Sequence, residues 1–198
     1  MNGSDYLVMF GYLVAQMVLV IAVTFALSRT RIFKEVITNK LTPFNCIAFI
    51  VIFGALAIVG TYLAIDYETS KVNLRDFPVI IAGLLGGPII GTGAGLIGGI
   101  ERYLEGGATA LPCAISTIMA GAVAGLVHWR YKQFPKVHVA VITSFVLMVV
   151  HMVLVATISN PASVGLSIAE VIAFPMTLFA VAGMLLFSVL YFRTMRPS

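Results

Sequence analysis

Long apolar runs separated by short polar segments extend along the whole chain. Six of these runs are long enough to enter a lipid bilayer as helices, because about 20 apolar residues at about 1.5 Å per residue span its hydrocarbon core. The runs are Tyr6–Ser28, Pro43–Tyr62, Phe77–Ile100, Ala110–Trp129, Val137–Ile158 and Ile168–Phe192. The pattern predicts an all-α integral membrane protein that forms a single membrane domain over residues 1–198.

Composition agrees with this fold class and excludes others. The chain is 60% hydrophobic and only 10% charged, which is typical of a protein dissolved in lipid and not of a water-soluble globule or a nucleic-acid-binding surface. The first run has no basic segment before it and is too long for a signal peptide, so we expect it to be retained. Motifs of serine hydrolases, zinc proteases and P-loop NTPases are missing from the sequence, as are Cys or His pairs with metal-ligand spacing. We therefore expect this chain alone to be no enzyme, with no cofactor and no metal.

The basic residues predict the topology. Cytoplasmic loops carry an excess of Lys and Arg. Nine of the twelve basic residues form three clusters, which are Arg29, Arg31, Lys34 and Lys40, then Arg130, Lys132 and Lys136, then Arg193 and Arg196. The other three, Lys71, Arg75 and Arg102, lie outside in this scheme, together with most acids, including Asp66 and Glu68. The N-terminus is then outside and the C-terminus cytoplasmic.

This topology requires that one apolar run does not cross the membrane. Two runs separate the outer segment 62–76 from the inner Arg130, and two full crossings would return the chain to the outside. The Gly86-Gly87-Pro88 sequence divides Phe77–Ile100 into pieces of roughly 11 and 13 residues, about 16 and 20 Å as helix, each too short to cross comfortably. We expect five transmembrane helices and a re-entrant hairpin over about 77–104. A single kinked span, with a basic loop assigned to the wrong side elsewhere, is the alternative.

Glycines recur at helical spacing within this hairpin. Small residues every four positions give a helix a smooth face against which another backbone packs closely. The recurring residues are Gly83, Gly87, Gly91, Gly95 and Gly99. A further GxxxG pair, Gly121 and Gly125, could serve internal packing or a homodimer contact, and we favour internal packing.

The hairpin would bring charged and polar groups together at the outer face. It returns Arg102 to the side of Arg75, where the next helix begins with Pro112 in its first turn. Cys113 and Ser116 share one face of that turn. Two guanidiniums, a hydroxyl and a helix N-terminus predict a pocket for a small carboxylate or phosphate. No base is apparent beside Cys113, so its thiol is not expected to react.

The same segment carries a family resemblance. An Asn-Leu-Arg sequence precedes GLLGGP, then come GTGAGLIGGIERY, a GG pair and the Cys-Ala-Ile-Ser sequence at Cys113. Together these resemble the LytS-type five-transmembrane receptor domain. The resemblance implies a plasma-membrane sensory domain of two-component histidine kinases, or sometimes of diguanylate cyclases, with relatives similar to pyruvate sensors. It also implies that Arg75, Arg102, Cys113 and Ser116 contact the ligand.

Several alternatives stay open. The acids beside the arginines, Asp76 and Glu101, could partly neutralise them and change the ligand preference. His151 could be a packed histidine or could close over a ligand, whereas His128 is typical of an interfacial belt. The sequence contains no output domain, so a kinase or cyclase partner would be fused beyond it or separate. A solute-uptake subunit is the alternative function, since half-length helices also build transporters.

Overall fold

The computed structural model describes residues 3–67 and 70–195, so Glu68 and Arg196 of the charge pattern lie outside the described part. All six predicted runs are helices long and apolar enough to cross a membrane. The helices are α1 (Gly3–Ser28), α2 (Arg31–Ile37), α3 (Pro43–Tyr62), α4 (Asp76–Leu104), α5 (Ala110–Tyr131), α6 (Val137–Ile158) and α7 (Ala162–Leu190), followed by a π-helical turn at Tyr191–Met195.

The described part of the chain is all-helical apart from one strand pair, and a short helix and this strand pair lie outside the predicted apolar runs. Strands β1 (Ile65–Tyr67) and β2 (Ser70–Val72) pair antiparallel, with Ile65 opposite Val72, in the segment that the sequence assigns to an outer loop. Short α2 follows α1 and is capped by the Thr30 hydroxyl. The strand pair and α2 were not predicted, because each of these elements is much shorter than the apolar runs that indicate the long helices.

Helix α4 is broken at Gly87, inside the predicted Gly86-Gly87-Pro88 sequence. Gly87 has φ of 84° and ψ of −173°, a conformation that is essentially restricted to glycine. Pro88 follows and cannot continue the hydrogen bonding of the preceding turn, because it has no N–H. The break divides α4 into a first limb, 76–86, and a second limb, 88–104.

Both limbs pack against α5 through a set of close backbone contacts, which we call the glycine seam. A Cβ atom on Gly91 or Gly121 would overlap the backbone of the other, and one on Gly125 would overlap Pro88. Along the second limb, Gly95 faces the Thr117 carbonyl and Gly99 the Ala114 carbonyl, each at 2.9 Å from an ideal Cβ position. The seam consists of Gly83, Gly91, Gly95, Gly99, Gly121 and Gly125.

The seam shows that the two limbs run in opposite directions along α5. The first limb begins with Asp76 beside Thr117 and reaches Gly121 at Gly83. The second limb starts from Gly125 and returns toward Ala114. Close packing through Gly121 and Gly125 is therefore internal, as favoured from the sequence. That this pair of limbs enters the bilayer from its outer face stays a prediction.

The irregular backbone before α4 is satisfied by a side chain of α1. The Gln16 amide donates to the Leu63 carbonyl at 2.9 Å, and its oxygen accepts from the Leu74 N–H at 2.8 Å. Gln16 is buried, so these bonds replace water at two groups that no helix or strand pairs. This contact holds the segment that leads into Arg75.

Candidate functional site

Arg75 immediately precedes α4, and its side chain is almost completely buried, with 1% of its surface exposed. Its Nε donates to the Thr117 hydroxyl at 3.2 Å, and its Nη1 donates to the Thr61 hydroxyl at 2.9 Å. Its backbone N–H donates to the Asn73 side chain at 3.0 Å. The guanidinium is therefore held in place by neutral oxygens.

Arg102 lies near the end of the second limb and is also 1% exposed. Its Nη1 donates to the Gly106 carbonyl at 2.6 Å and its Nη2 to the Thr109 hydroxyl at 3.0 Å. Its Nε has no hydrogen-bond partner among the described residues. Arg102 therefore does not snorkel to the membrane interface, and one of its donors remains available.

Asp76 binds three side chains on two other helices. It accepts from the Thr117 hydroxyl at 2.6 Å and from the Ser116 hydroxyl at 3.3 Å. Its Oδ2 lies 2.7 Å from Nδ1 of His151 on α6. Among the described residues, the ion-pair partner of this carboxylate is thus His151 and not its neighbour Arg75.

His151 also contacts the predicted ligand-binding cysteine. Its Nε2 lies 3.3 Å from Sγ of Cys113, so the imidazole bridges the thiol and the Asp76 carboxylate. The expectation that no base lies beside Cys113 was wrong. The sequence does not show which residues of other helices α6 packs against, so it could not reveal this contact.

The buried charged groups converge. Arg75 lies within electrostatic reach of Arg102, Cys113 and Glu101. Cys113 in turn lies within reach of both arginines. The two Glu101 side-chain oxygens are buried without a hydrogen-bond partner in the described residues. We call the assembly the polar cluster; its members are Arg75, Asp76, Arg102, Cys113, Ser116, Thr117 and His151.

A cavity of about 180 Å³ borders the polar cluster at Arg102. Its wall includes Ser70 of β2, whose hydroxyl lies 2.8 Å from the Thr109 hydroxyl. Lys71, also in the wall, has its Nζ 3.6 Å from Asp66 and 3.4 Å from Glu105. The wall also includes these two acids, and the cavity lies between the strand pair and the loop that joins α4 to α5.

The polar cluster contains two buried cationic donors, Arg75 and Arg102. Within the described ranges, no group of three or more His, Cys, Asp or Glu side chains could hold a metal ion. Guanidinium groups bind carboxylates and phosphates through charge-assisted hydrogen bonds.

The sequence of this chain is similar to those of known proteins. A family model described as the 5TMR of 5TMR-LYT matches residues 30–193. The chain belongs to the 5TMR-LYT family. It is therefore a LytS-type five-transmembrane receptor domain, and a multi-pass protein of the plasma membrane.

Relatives of this 5TMR-LYT chain include proteins named as sensors. The sensor histidine kinase BtsS of Escherichia coli K12 is 34% identical over 184 residues, covering 88% of this chain and 32% of the relative. The sensor protein LytS of Bacillus cereus is 32% identical over 179 residues, covering 81% and 30%. The sensor histidine kinase YpdA of Escherichia coli K12 is 32% identical over 160 residues, covering 79% and 28%. The chain thus spans about a third of the length of these curated relatives.

Proposed function

We propose that this chain is the signal-input domain of a sensor histidine kinase and binds a small carboxylate, such as pyruvate, from the outer side of the membrane. Two relatives bear the name sensor histidine kinase, and the chain matches a part of each. The proposed contacts are those expected from the sequence, namely Arg75, Arg102, Cys113 and Ser116. A cytoplasmic kinase domain would respond to the change that ligand binding causes in this domain.

The arginine pair is the observation that carries this proposal. Burying a charge is costly unless it is paired. Both guanidiniums are 1% exposed, their hydrogen bonds go to neutral oxygens, and Nε of Arg102 has no partner in the described part of the chain. A carboxylate between them would supply the missing acceptor through charge-assisted hydrogen bonds.

The charge pattern supports access from outside. The basic clusters assign the ends of α1, α5 and α7 to the cytoplasm, so the α4–α5 loop and the cavity at Arg102 face the exterior. In this topology α4 is a re-entrant hairpin whose turn at Gly87 lies toward the inner face. The broken backbone is tolerated there because α5 covers it.

Transmission would pass through α6 to α7. His151 connects α6 to the polar cluster, and α6 meets α7 at a close contact between Gly165 and the Val155 carbonyl. Helix α7 then leads to the cytoplasmic end of the domain. A ligand signals only if it binds two arrangements with different affinities, and a tenfold preference corresponds to about 1.4 kcal/mol.

The proposal is tested by titrating the purified chain in lipid nanodiscs with pyruvate, acetate and phosphate by calorimetry. Arg75→Gln and Arg102→Gln should each weaken pyruvate binding by roughly ten- to 100-fold, because a hydrogen bond to a charged group contributes about 1.5–3 kcal/mol. Arg130→Gln, at an exposed arginine of α5, is the matched control and should leave binding unchanged. Undiminished binding in both site variants would show that the proposed site is wrong.

Uptake distinguishes a receptor from a carrier. The glycine seam packs α4 against α5 backbone to backbone between the polar cluster and the turn at Gly87, which favours a closed site over a path through the protein. Sealed vesicles that contain the chain should therefore not accumulate or exchange labelled pyruvate. Concentrative uptake would establish the solute-uptake function instead.

A further inference from the structure

Three side chains of the polar cluster stand in the order of a nucleophile, a base and a carboxylate that orients the base. Sγ of Cys113 lies 3.3 Å from Nε2 of His151, and Nδ1 of the same ring lies 2.7 Å from Oδ2 of Asp76. All three are buried and lie on three different helices. Hydrogen-bonded groups in this order activate nucleophiles in unrelated proteins, where they are recognised by geometry and not by sequence position.

The carboxylate fixes the role of each ring nitrogen. Asp76 is itself held by the Thr117 hydroxyl at 2.6 Å and the Ser116 hydroxyl at 3.3 Å. An ionised carboxylate only accepts hydrogen bonds, so Nδ1 of His151 carries its proton toward Asp76. In the neutral ring, Nε2 then presents its lone pair to the Cys113 thiol, as a base must.

We propose that Cys113 forms a reversible covalent bond with the carbonyl carbon of a 2-oxo carboxylate whose acid group is held by the arginines. This inference rests on the proposed function and adds the class of ligand to it. An arginine pair recognises only the carboxylate, which acetate, lactate and pyruvate share. A nucleophile beside it distinguishes pyruvate from the other two, because only the 2-oxo acid carries an electrophilic carbonyl carbon.

The reaction is a balanced addition. The thiol proton passes to Nε2 of His151, and a sulfur electron pair forms a bond to the carbonyl carbon. The π pair of the carbonyl moves to its oxygen, which then takes the proton from Nε2. The product is a hemithioketal, with no leaving group and no oxidant, and the reverse steps release the ligand unchanged.

The surrounding charges suit this addition. Arg75 and Arg102 both lie within electrostatic reach of Cys113, so positive charge lies near the sulfur that would form the bond. Positive groups held in place beside a developing oxyanion stabilise the tetrahedral species without rearranging. The pair that binds the acid group thus also favours bond formation.

The test is carbon NMR of pyruvate labelled with ¹³C at C2, mixed with the 198-residue chain in lipid nanodiscs. The expected result is a bound signal at a tetrahedral carbon shift, where free pyruvate shows a ketone shift. Oxamate has the same shape and charge but an unreactive amide carbonyl, and should bind more weakly and keep its carbonyl shift. Labelled pyruvate with empty nanodiscs gives the background of hydrated pyruvate.

Single-residue variants show which side chains are required for the covalent bond to pyruvate. Cys113→Ala should abolish the tetrahedral signal and remove the preference for pyruvate over oxamate. His151→Gln should do the same while leaving oxamate binding measurable. Cys46→Ala, at the other free cysteine, is the matched control and should retain the signal.

The outcomes separate this inference from the proposed function. Arginine-dependent pyruvate binding with a ketone shift would overturn the covalent bond and leave the carboxylate receptor intact. A tetrahedral signal that persists in Cys113→Ala would also overturn it. Absence of pyruvate binding in calorimetry would overturn both, because the receptor proposal itself then fails.

Discussion

Helices α4 and α5 meet in two regions of opposite character, the polar cluster at one end and the glycine seam that runs from it toward Gly87. In the polar cluster, long side chains reach across helices, and each charged group is held by hydrogen bonds. In the seam, glycines of each helix closely approach the backbone of the other helix. The difference separates two tasks, since the seam sets the distance between the two helices and the cluster places polar side chains across that distance.

Thr117, a member of the polar cluster, also contacts the seam. Its carbonyl contacts Gly95 at 2.9 Å from an ideal Cβ position, whereas its hydroxyl accepts from Arg75 and donates to Asp76. A change in the seam would therefore shift the cluster directly.

The largest expected effect is in the seam. Gly121→Leu places a side chain against the Gly91 backbone, which cannot move without separating α4 from α5. We expect loss of folded protein, measured as the monodisperse fraction in size-exclusion chromatography of detergent extracts. Gly11→Leu is the matched control, because an ideal Cβ at Gly11 meets no atom within 4 Å. Equal yields of the two variants would contradict the seam as a structural requirement.

Removing the carboxylate of the cluster should be the next largest effect. Asp76→Ala leaves His151 and two hydroxyls without their buried partner, and breaking a buried pair in this way costs about 3–5 kcal/mol. Asp66→Ala is the control, because its side chain is 78% exposed and its bridge to Lys71 should contribute about 0–1 kcal/mol. Thermal unfolding in the same detergent compares the two, and similar midpoints would show that the buried pair is not structural.

The seam could be predicted from the sequence, and the cluster only in part. Glycines every four residues and the break before Pro88 are local patterns, and the structure places Gly83, Gly91, Gly95 and Gly99 against α5. The predicted ligand residues Arg75, Arg102, Cys113 and Ser116 are all buried at one end of the α4–α5 pair. Their positions on either side of the predicted hairpin turn were sufficient to predict that they lie at the same end.

The partners of those residues could not be predicted. Asp76 pairs with His151 across 75 positions, and Gln16 supports the segment before Arg75 from 58 positions away. Such pairs depend on how α6 and α1 pack, which apolar periodicity does not specify. His128 is a correction of the same kind, since it was assigned to an interfacial belt but is buried beside the helix break.

His128 provides a test of intermediate size at the far end of the seam. Its Nδ1 lies 2.8 Å from the Leu84 carbonyl, which Pro88 cannot bond because it has no N–H. His128→Leu should therefore leave a buried acceptor unpaired and cost about 1–3 kcal/mol in thermal unfolding. His138→Leu, at an exposed histidine near the start of α6, is the control and should change little. If both variants have the same thermal unfolding midpoint, the Leu84 carbonyl does not depend on His128 for a hydrogen bond.

The smallest expected effect concerns Lys71, at the rim of the cavity and outside both regions. Its Nζ lies 3.4 Å or more from each acid, and a partly exposed bridge of this kind contributes about 0–1 kcal/mol to stability. Its charge nevertheless lies in the wall of the cavity at Arg102, through which we propose that the anion enters. Lys71→Gln should therefore unfold like the parent chain but bind pyruvate more slowly at low ionic strength. The difference should shrink as salt screens the charge.

Stopped-flow mixing measures the association rate of pyruvate. Lys40→Gln is the control, at an exposed lysine of a predicted cytoplasmic loop. Unchanged association in Lys71→Gln would mean that the anion does not pass this rim, and the approach through the cavity at Arg102 would then be wrong.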